Sequence, residues 1–374
     1  MSGAGRRSEA EARRVQMPWV HSDAHRQHDP AIEVWTGTQQ PSTEIPARAD
    51  AIAASLAGDH AFRPVTPRPH GLDPVLAVHE EGLVRCLEQI WDECRPLSPT
   101  REVFPDTVLH PAMLSRAAGR TDPAAAPSAR LGYWCFDTMT PIVAGTYAAA
   151  RAAADCALTA VDLVLAGERS AYALCRPPGH HAGRRVMGGF CYLNNAAIAA
   201  RQFTESAGRP VAILDLDYHH GNGTQQIFYE CGDVIYASLH ADPGRAFPYF
   251  TGYPDETGYG DGLGSTLNVP LPARCDDDEY IAHLQRILEF IAGRRAAAVV
   301  VSLGVDTYER DPICDLAITT GGYLQMGHLV ADLGLPAVIV QEGGYYLPDL
   351  GVNVREWLRG FLGLPAAAEP ESVA

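Results

Sequence analysis

The chain runs to 374 residues with 47% hydrophobic and 20% charged side chains, an ordinary globular balance that allows a large core. Its 45 acidic residues against 29 Lys plus Arg give a formal charge of -16, which disfavours nucleic acid and favours cationic small molecules or basic peptides as partners. No apolar run approaches the roughly 18 to 20 residues that span a bilayer and no apolar signal core opens the chain, so a soluble cytoplasmic protein with no membrane partner is expected.

Residues 1–16 mix both signs of charge with almost no apolar side chains and read as a disordered arm. One domain is expected over 17–364, followed by a flexible tail, 365–374. The chain reads as helical from Thr43 to about Leu56, and again in a 3.6-residue pattern from Pro74 to Glu93. Residues 95–139 form a Pro-, Ala- and Arg-rich insert with little periodicity, and an ordered loop of that length usually has a function.

Beyond the insert the pattern turns regular. A long Ala-rich helix (Pro141 to Ala166) precedes the apolar run AYALC; then come helix Asn194 to Thr204, strand VAILDLD, helix Gly223 to Tyr229 and strands DVIYASL and TLNVPL. The last third alternates helix Asp277 to Ile291, strand AAAVVVSLG, helix Gly321 to Leu333, strand PAVIVQEG and helix Leu350 to Phe361. Short continuous apolar strands between amphipathic helices predict an α/β fold, a buried and mostly parallel sheet covered by helices on both faces. Nine cysteines without a CxxC pair point to buried free thiols rather than a disulfide framework or a cysteine zinc site.

In such sheets ligands sit outside the carboxyl ends of the strands. Five polar clusters follow predicted strand ends: RPPGHHAG, DYHHGNG, LHADP, GVDTYERDP and QEGGYY. Asp217 and His219 are two apart, so on extended chain they leave the same face. Asp306, from another strand end, completes an Asp, His, Asp set with an open position, the pattern of a catalytic rather than a structural zinc. Asp215 shares their parity one step deeper and is placed behind the ligands, orienting a histidine. The Pro- and Gly-rich RPPGHHAG turn presents His180 and His181 to the same rim. Tyr345, after two glycines, can turn inward as an oxyanion donor. A two-metal hydrolase of the arginase type is the competing reading, but Gly304 stands where its first later aspartate would.

RPPGHHA, GGFCYLNNAAIAA, ILDLDYHHGNGTQQIFY, YASLHADP, VVVSLGVDT and QEGGYYLPDLGVN together resemble the histone deacetylase superfamily, most closely its bacterial acetylpolyamine amidohydrolase branch, from about Met17 to Leu364. The resemblance implies a single-domain, arginase-like fold of about eight strands and a zinc-dependent deacetylase. It implies Asp217, His219 and Asp306 as zinc ligands, and His180 and His181 as the tandem catalytic histidines, supported by Asp215 and Asn222. By the same resemblance Tyr345 is the oxyanion tyrosine, Phe190 and Phe247 wall the acyl channel, and Asp215, Ser238 and Leu239 hold potassium. A homodimer acting on a small cationic N-acyl amine, with 95–139 shaping the entrance, is the implied assembly. The insert departs from the branch: Ser128 and Met139 stand where acids that receive a cationic tail are expected. Glu44, in the early loop, is the candidate to greet the cation instead, with Asp106, Asp122 and Asp137 as further substitutes. A protein acetyl-lysine deacetylase, a specialised metabolic N-deacetylase and a catalytically silent binding module are the other readings.

Overall fold

The computed structural model describes residues 16–97, 100–110 and 126–367. The predicted arm, apart from Gln16, therefore lies outside the described residues, as do 368–374 of the predicted tail. So does the middle of the insert, 111–125, with Arg116, Arg120 and Asp122.

The strands in chain order are β1 (Met17–Val20), β2 (Ile32–Trp35), β3 (Thr38–Pro41), β4 (Phe62–Val65), β5 (Ser170–Ala173), β6 (Val211–Asp215), β7 (Val234–Ala241), β8 (Thr266–Leu271), β9 (Val299–Leu303) and β10 (Ala337–Gln341). Eight of them form one sheet in the order β4-β1-β5-β10-β9-β6-β7-β8, while β2 and β3 form a separate pair. Every pairing in the large sheet is parallel, as the helical crossovers between its strands require. The centre is β10, β9 and β6, each buried along its whole length.

Side-chain alternation splits these strands between two cores. Val299, Val301 and Leu303 of β9 pack on one face with residues of helices Asp277–Ala292, Thr320–Ala331 and Leu347–Phe361. Val300 packs on the other with the Ala-rich helix Thr146–Leu165 and helix Asn195–Ala207. With alanine along its buried face, Thr146–Leu165 can lie close to the sheet, and a four-residue loop separates it from β5.

Several predicted boundaries move for local reasons. The helix expected from Thr43 starts at Ala47, because Thr43 is held by Glu33, which accepts from both its N–H and its hydroxyl. Pro74 to Glu93 is two helices, Asp73–Leu76 and Glu81–Cys94. Between them the His79 ring is drawn inward, against Gly183 O and Asn194 N. The helix expected from Pro141 starts at Thr146, since Ile142 is bridged to Val103 of the insert. Within the insert, Pro127–Trp134 is helical, with its proline in the first turn where the missing N–H costs nothing. The short strands β1 and β4 and the β2–β3 hairpin add to the predicted elements.

Candidate active site

The carboxyl ends of β5, β6, β9 and β10 open on one narrow cleft. Its lining includes Pro178, His180, His181, Asp217, His219, Gly343 and Tyr345, with Trp35, Met139, Phe190, Phe247 and Ile313 as the apolar walls. The sheet register explains the convergence. Asp215, the last residue of β6, pairs with Ser302 of β9 and Ser238 of β7, so the chain beyond each strand reaches the rim at one level.

At the floor, one ligand atom each from Asp217, His219 and Asp306 lies within 4.8 Å of the others, and all three residues are buried. His219 Nδ1 is 3.2 Å from Asp217 Oδ1 and 3.1 Å from Asp306 Oδ2. One imidazole nitrogen thus faces two carboxylates, while Asp217 Oδ2 accepts from Gly343 N and Asp306 Oδ1 from Tyr218 N. Burial and the Asp217 charge together raise the Asp306 pKa above the usual carboxylate value. Such a negative nitrogen-and-oxygen donor set in a buried floor suits a divalent transition ion. The backbone is shaped around it: a Cβ on Gly343 would lie 2.3 Å from Asp306 Oδ2 and 2.6 Å from Asp217 Oδ2.

The tandem histidines stand beside this floor, ring centroids 4.0 Å apart. His180 Nδ1 lies 3.2 Å from Asp215 Oδ2 and its Nε2 lies 3.6 Å from Asp217 Oδ1. Burial lowers the His180 pKa, but Asp217 and Asp215 outweigh it and raise it to about 10. His181 Nδ1 lies 2.7 Å from Asn222 Oδ1. Since an amide oxygen only accepts, Nδ1 carries the proton and Nε2 is left as the basic atom. Burial, then the charge of His180, hold His181 well below the usual histidine range. The two neighbours therefore differ in basicity, as the Asp215 and Asn222 partners predict.

Gly189 and Phe190 both have positive φ, 58° and 63°. A Cβ on Gly189 would meet His181 Cδ2 at 2.3 Å, and the left-handed turn is what swings Phe190 into the wall. Phe190 lies 5.9 Å from the Tyr345 ring and Phe247 lies 4.9 Å from His181. The Tyr345 phenol, raised by burial although Arg48 opposes the shift, stays protonated and able to donate. Ser238 hydrogen bonds His240 Nδ1 at 2.7 Å, and Leu239 is fully buried beside it.

Glu44 is not in the channel. It is 1% exposed, and its Oε1 accepts from Arg48 at 2.6 Å and Arg176 at 2.8 Å. A carboxylate enclosed by two guanidiniums has no charge left for a substrate, so the expectation that Glu44 greets a cation is corrected. Asp137 is committed as well, accepting from Gly189 N and Met139 N. Met139, at an expected acidic position, lines the apolar wall.

Three supporting residues escaped the sequence reading. Glu342 Oε2 accepts from Gly179 N and His180 N at 2.7 and 3.1 Å, fixing the histidine turn from beneath. Asp311 Oδ2 accepts from Tyr345 N and Tyr346 N at 2.6 and 3.1 Å. Arg48 donates to Gly344 O at 2.6 Å and covers the Tyr345 ring. Glu342 and Asp311 sit in polar clusters at strand ends, which was the available signal. His220, without a sequence-level role, ties the rim together through Thr251 and Gln225 and packs on His240.

A parallel sheet whose strand ends gather an Asp, His, Asp floor, paired histidines and a tyrosine defines a hydrolase class, and the chain belongs to the histone deacetylase family: the histone deacetylase domain matches residues 42–361. It is 43% identical over 345 residues to acetylpolyamine amidohydrolase 1 of Pseudomonas aeruginosa, covering 92% of this chain and 98% of that protein. To the acetylpolyamine amidohydrolase of Mycoplana ramosa it is 41% identical over 348 residues, covering 92% and 99%. Among solved structures, the acetylpolyamine aminohydrolase of Burkholderia pseudomallei superposes with a TM-score of 0.87 at 36% identity, over 92% of this chain and 98% of that one.

Proposed function

We propose that the protein is a zinc-dependent amidohydrolase that removes acetyl or small acyl groups from N-acylated polyamines or related small amines, releasing the carboxylate and the free amine. The observation that carries this reading is the convergence of Asp217, His219 and Asp306 on one buried point, beneath an apolar cleft that also contains His180, His181 and Tyr345. Asp217, His219 and Asp306 would hold the zinc ion, which when bound polarises an amide carbonyl and activates water. His181 Nε2 takes a proton from the attacking water and returns it to the leaving amine. His180, kept charged by Asp215, stabilises developing negative charge. Tyr345 donates its O–H to the oxyanion, a contribution of about 3 to 4 kcal/mol. Phe190 and Phe247 enclose the acyl stem and exclude water. Asp215, Ser238 and Leu239, joined across the β6–β7 ladder, would hold a potassium ion beneath. A homodimer is supported by the exposed loop beyond Phe247, where Phe250 is 87% and Tyr249 47% exposed.

A second reading, a metabolic deacylase of neutral small amines, is favoured by the walls. Among the described residues lining the cleft, the only carboxylate is Asp217. A substrate panel on the zinc-loaded enzyme separates the two: acetylated di- and polyamines against acetyl-lysine peptides and neutral or anionic acyl amines. The first reading expects the highest kcat/KM on acetylated polyamines, and a preference for neutral amines replaces it with the second. Tyr345→Phe should lower kcat by roughly 100- to 1,000-fold with zinc still bound; undiminished turnover would remove Tyr345 from the chemistry.

A further inference from the structure

At the end of β1 the chain reads HSDAH, residues 21–25. His21 N donates to Val65 O, so the chain is still tied to β4 there. Ser22 then caps a short 3-10 helix, Asp23–Gln27, accepting from Ala24 N. This corner gathers His21, Asp23 and His25, with one donor atom from each within 4.8 Å of the others. His21 Nε2 is 3.8 Å from Asp23 Oδ1, near the separation of about 3.4 Å between neighbouring ligands that bonds of 2.0–2.2 Å set around a tetrahedral ion. Asp50, on the facing helix Ala47–Ala57, brings Oδ1 to 3.4 Å from His25 Nε2.

Independent of this clustering, His25 is 2% exposed, yet among the described residues neither ring nitrogen has a hydrogen-bond partner. The approach of Asp50 is too poorly directed to be one, and His21 Nδ1 is orphaned too. A buried neutral imidazole always carries one donor and one acceptor, and leaving both unpaired is rare. Arg26 is the positive charge at the rim, 2.7 Å from Asp50 and 3.9 Å from Asp23; Arg176 donates to His25 O from below. Among the described residues, two carboxylates against Arg26 still leave the corner acidic on its open side.

We infer that His21, Asp23 and His25, with Asp50 opposite, form a second metal site for a borderline divalent transition ion such as Zn2+. The mixed imidazole and carboxylate donors select this class over Mg2+ or Ca2+, which take all-oxygen shells. Its ligands are separate from those at the floor of the cleft. An ion there would fasten the 3-10 helix to helix Ala47–Ala57.

The test incubates the purified zinc-loaded enzyme with excess Zn2+, desalts it, and counts zinc per chain by mass spectrometry. Asp23→Ala and His21→Phe should each hold one equivalent fewer than the parent. Asp23 has a side chain 88% exposed, and Phe keeps the ring that packs by Trp19, so both variants should fold. Asp217→Ala, at the other site, should leave this equivalent in place, so failure of the proposed catalytic site is read separately. Added Zn2+ should also raise the thermal midpoint of the parent above that of Asp23→Ala. Zinc counts in both Asp23→Ala and His21→Phe equal to the parent's would overturn the proposal.

Discussion

At Gly304 an added Cβ would lie 2.1 Å from Asp217 Oδ2 and 2.6 Å from Asp217 Cα, closer than nonbonded atoms approach. The position where a two-metal arginase type would place a bridging carboxylate therefore has no room for any side chain, and the glycine is what lets Asp217 settle at the floor. Gly304→Ala should displace Asp217 and weaken zinc affinity by about 10- to 100-fold, the usual scale for losing support behind a ligand. Equilibrium zinc titration checks this, and wild-type affinity would mean that the floor can yield. Asp217, His219 and Asp306 were legible because their spacing and strand-end position are local facts. The role of Glu44 was not, because its partners Arg48 and Arg176 become its neighbours only after folding, and an acid in an early loop looks the same in sequence whether free or enclosed.

Helix Ala47–Ala57 is joined to the turn before His180 by that same carboxylate. Arg176 also donates to His25 O and His28 O at 2.7 Å each, so one buried cluster binds the 3-10 helix, helix Ala47–Ala57 and the histidine turn. Burial alone would raise the Glu44 pKa, but the Arg176 and Arg48 charges outweigh it and hold the carboxyl below its ordinary value of 4.5. Its contribution to stability is therefore complete above about pH 4.5 and drains away as pH falls through the depressed folded value. Glu44→Gln would leave two buried guanidiniums without their carboxylate. The expected loss is about 3 to 5 kcal/mol, read as a lower urea midpoint at pH 7, and a loss below about 1 kcal/mol would show that the cluster does not anchor these elements. Among the elements themselves, long amphipathic helices and continuous apolar strands were readable. MPWV and FRPV were not: four residues are too few to show a period, and Pro64 in β4 is tolerated because that strand lies at the sheet edge.

His79, buried in neutral form, couples the fold of the whole molecule to pH. Its Nδ1–H donates to Gly183 O and its Nε2 accepts from Asn194 N, both at 2.9 Å. The ring thus joins the approach to helix Glu81–Cys94, the loop after the tandem histidines, and the start of helix Asn195–Ala207. Burial lowers its pKa from 6.5 to about 4, against the pull of the Gly183 bond. Below pH 6.5 the unfolded chain takes up a proton that the folded chain refuses, so this contribution is whole above 6.5 and lost as pH falls towards 4. Glu342 and Asp311, each pushed up to about 7 by burial, act in the opposite sense, because there the folded state keeps the proton. The test must therefore be differential. In His79→Gln the amide can donate to Gly183 O and accept from Asn194 N without titrating. Between pH 7 and pH 5 the wild type should lose about 2 kcal/mol more than His79→Gln, from 1.36 kcal/mol per pH unit over the 1.5 units below 6.5. Urea unfolding of both proteins at the two pH values measures it, and parallel losses would mean that the His79 ring titrates in the fold near 6.5, as it does in the unfolded chain.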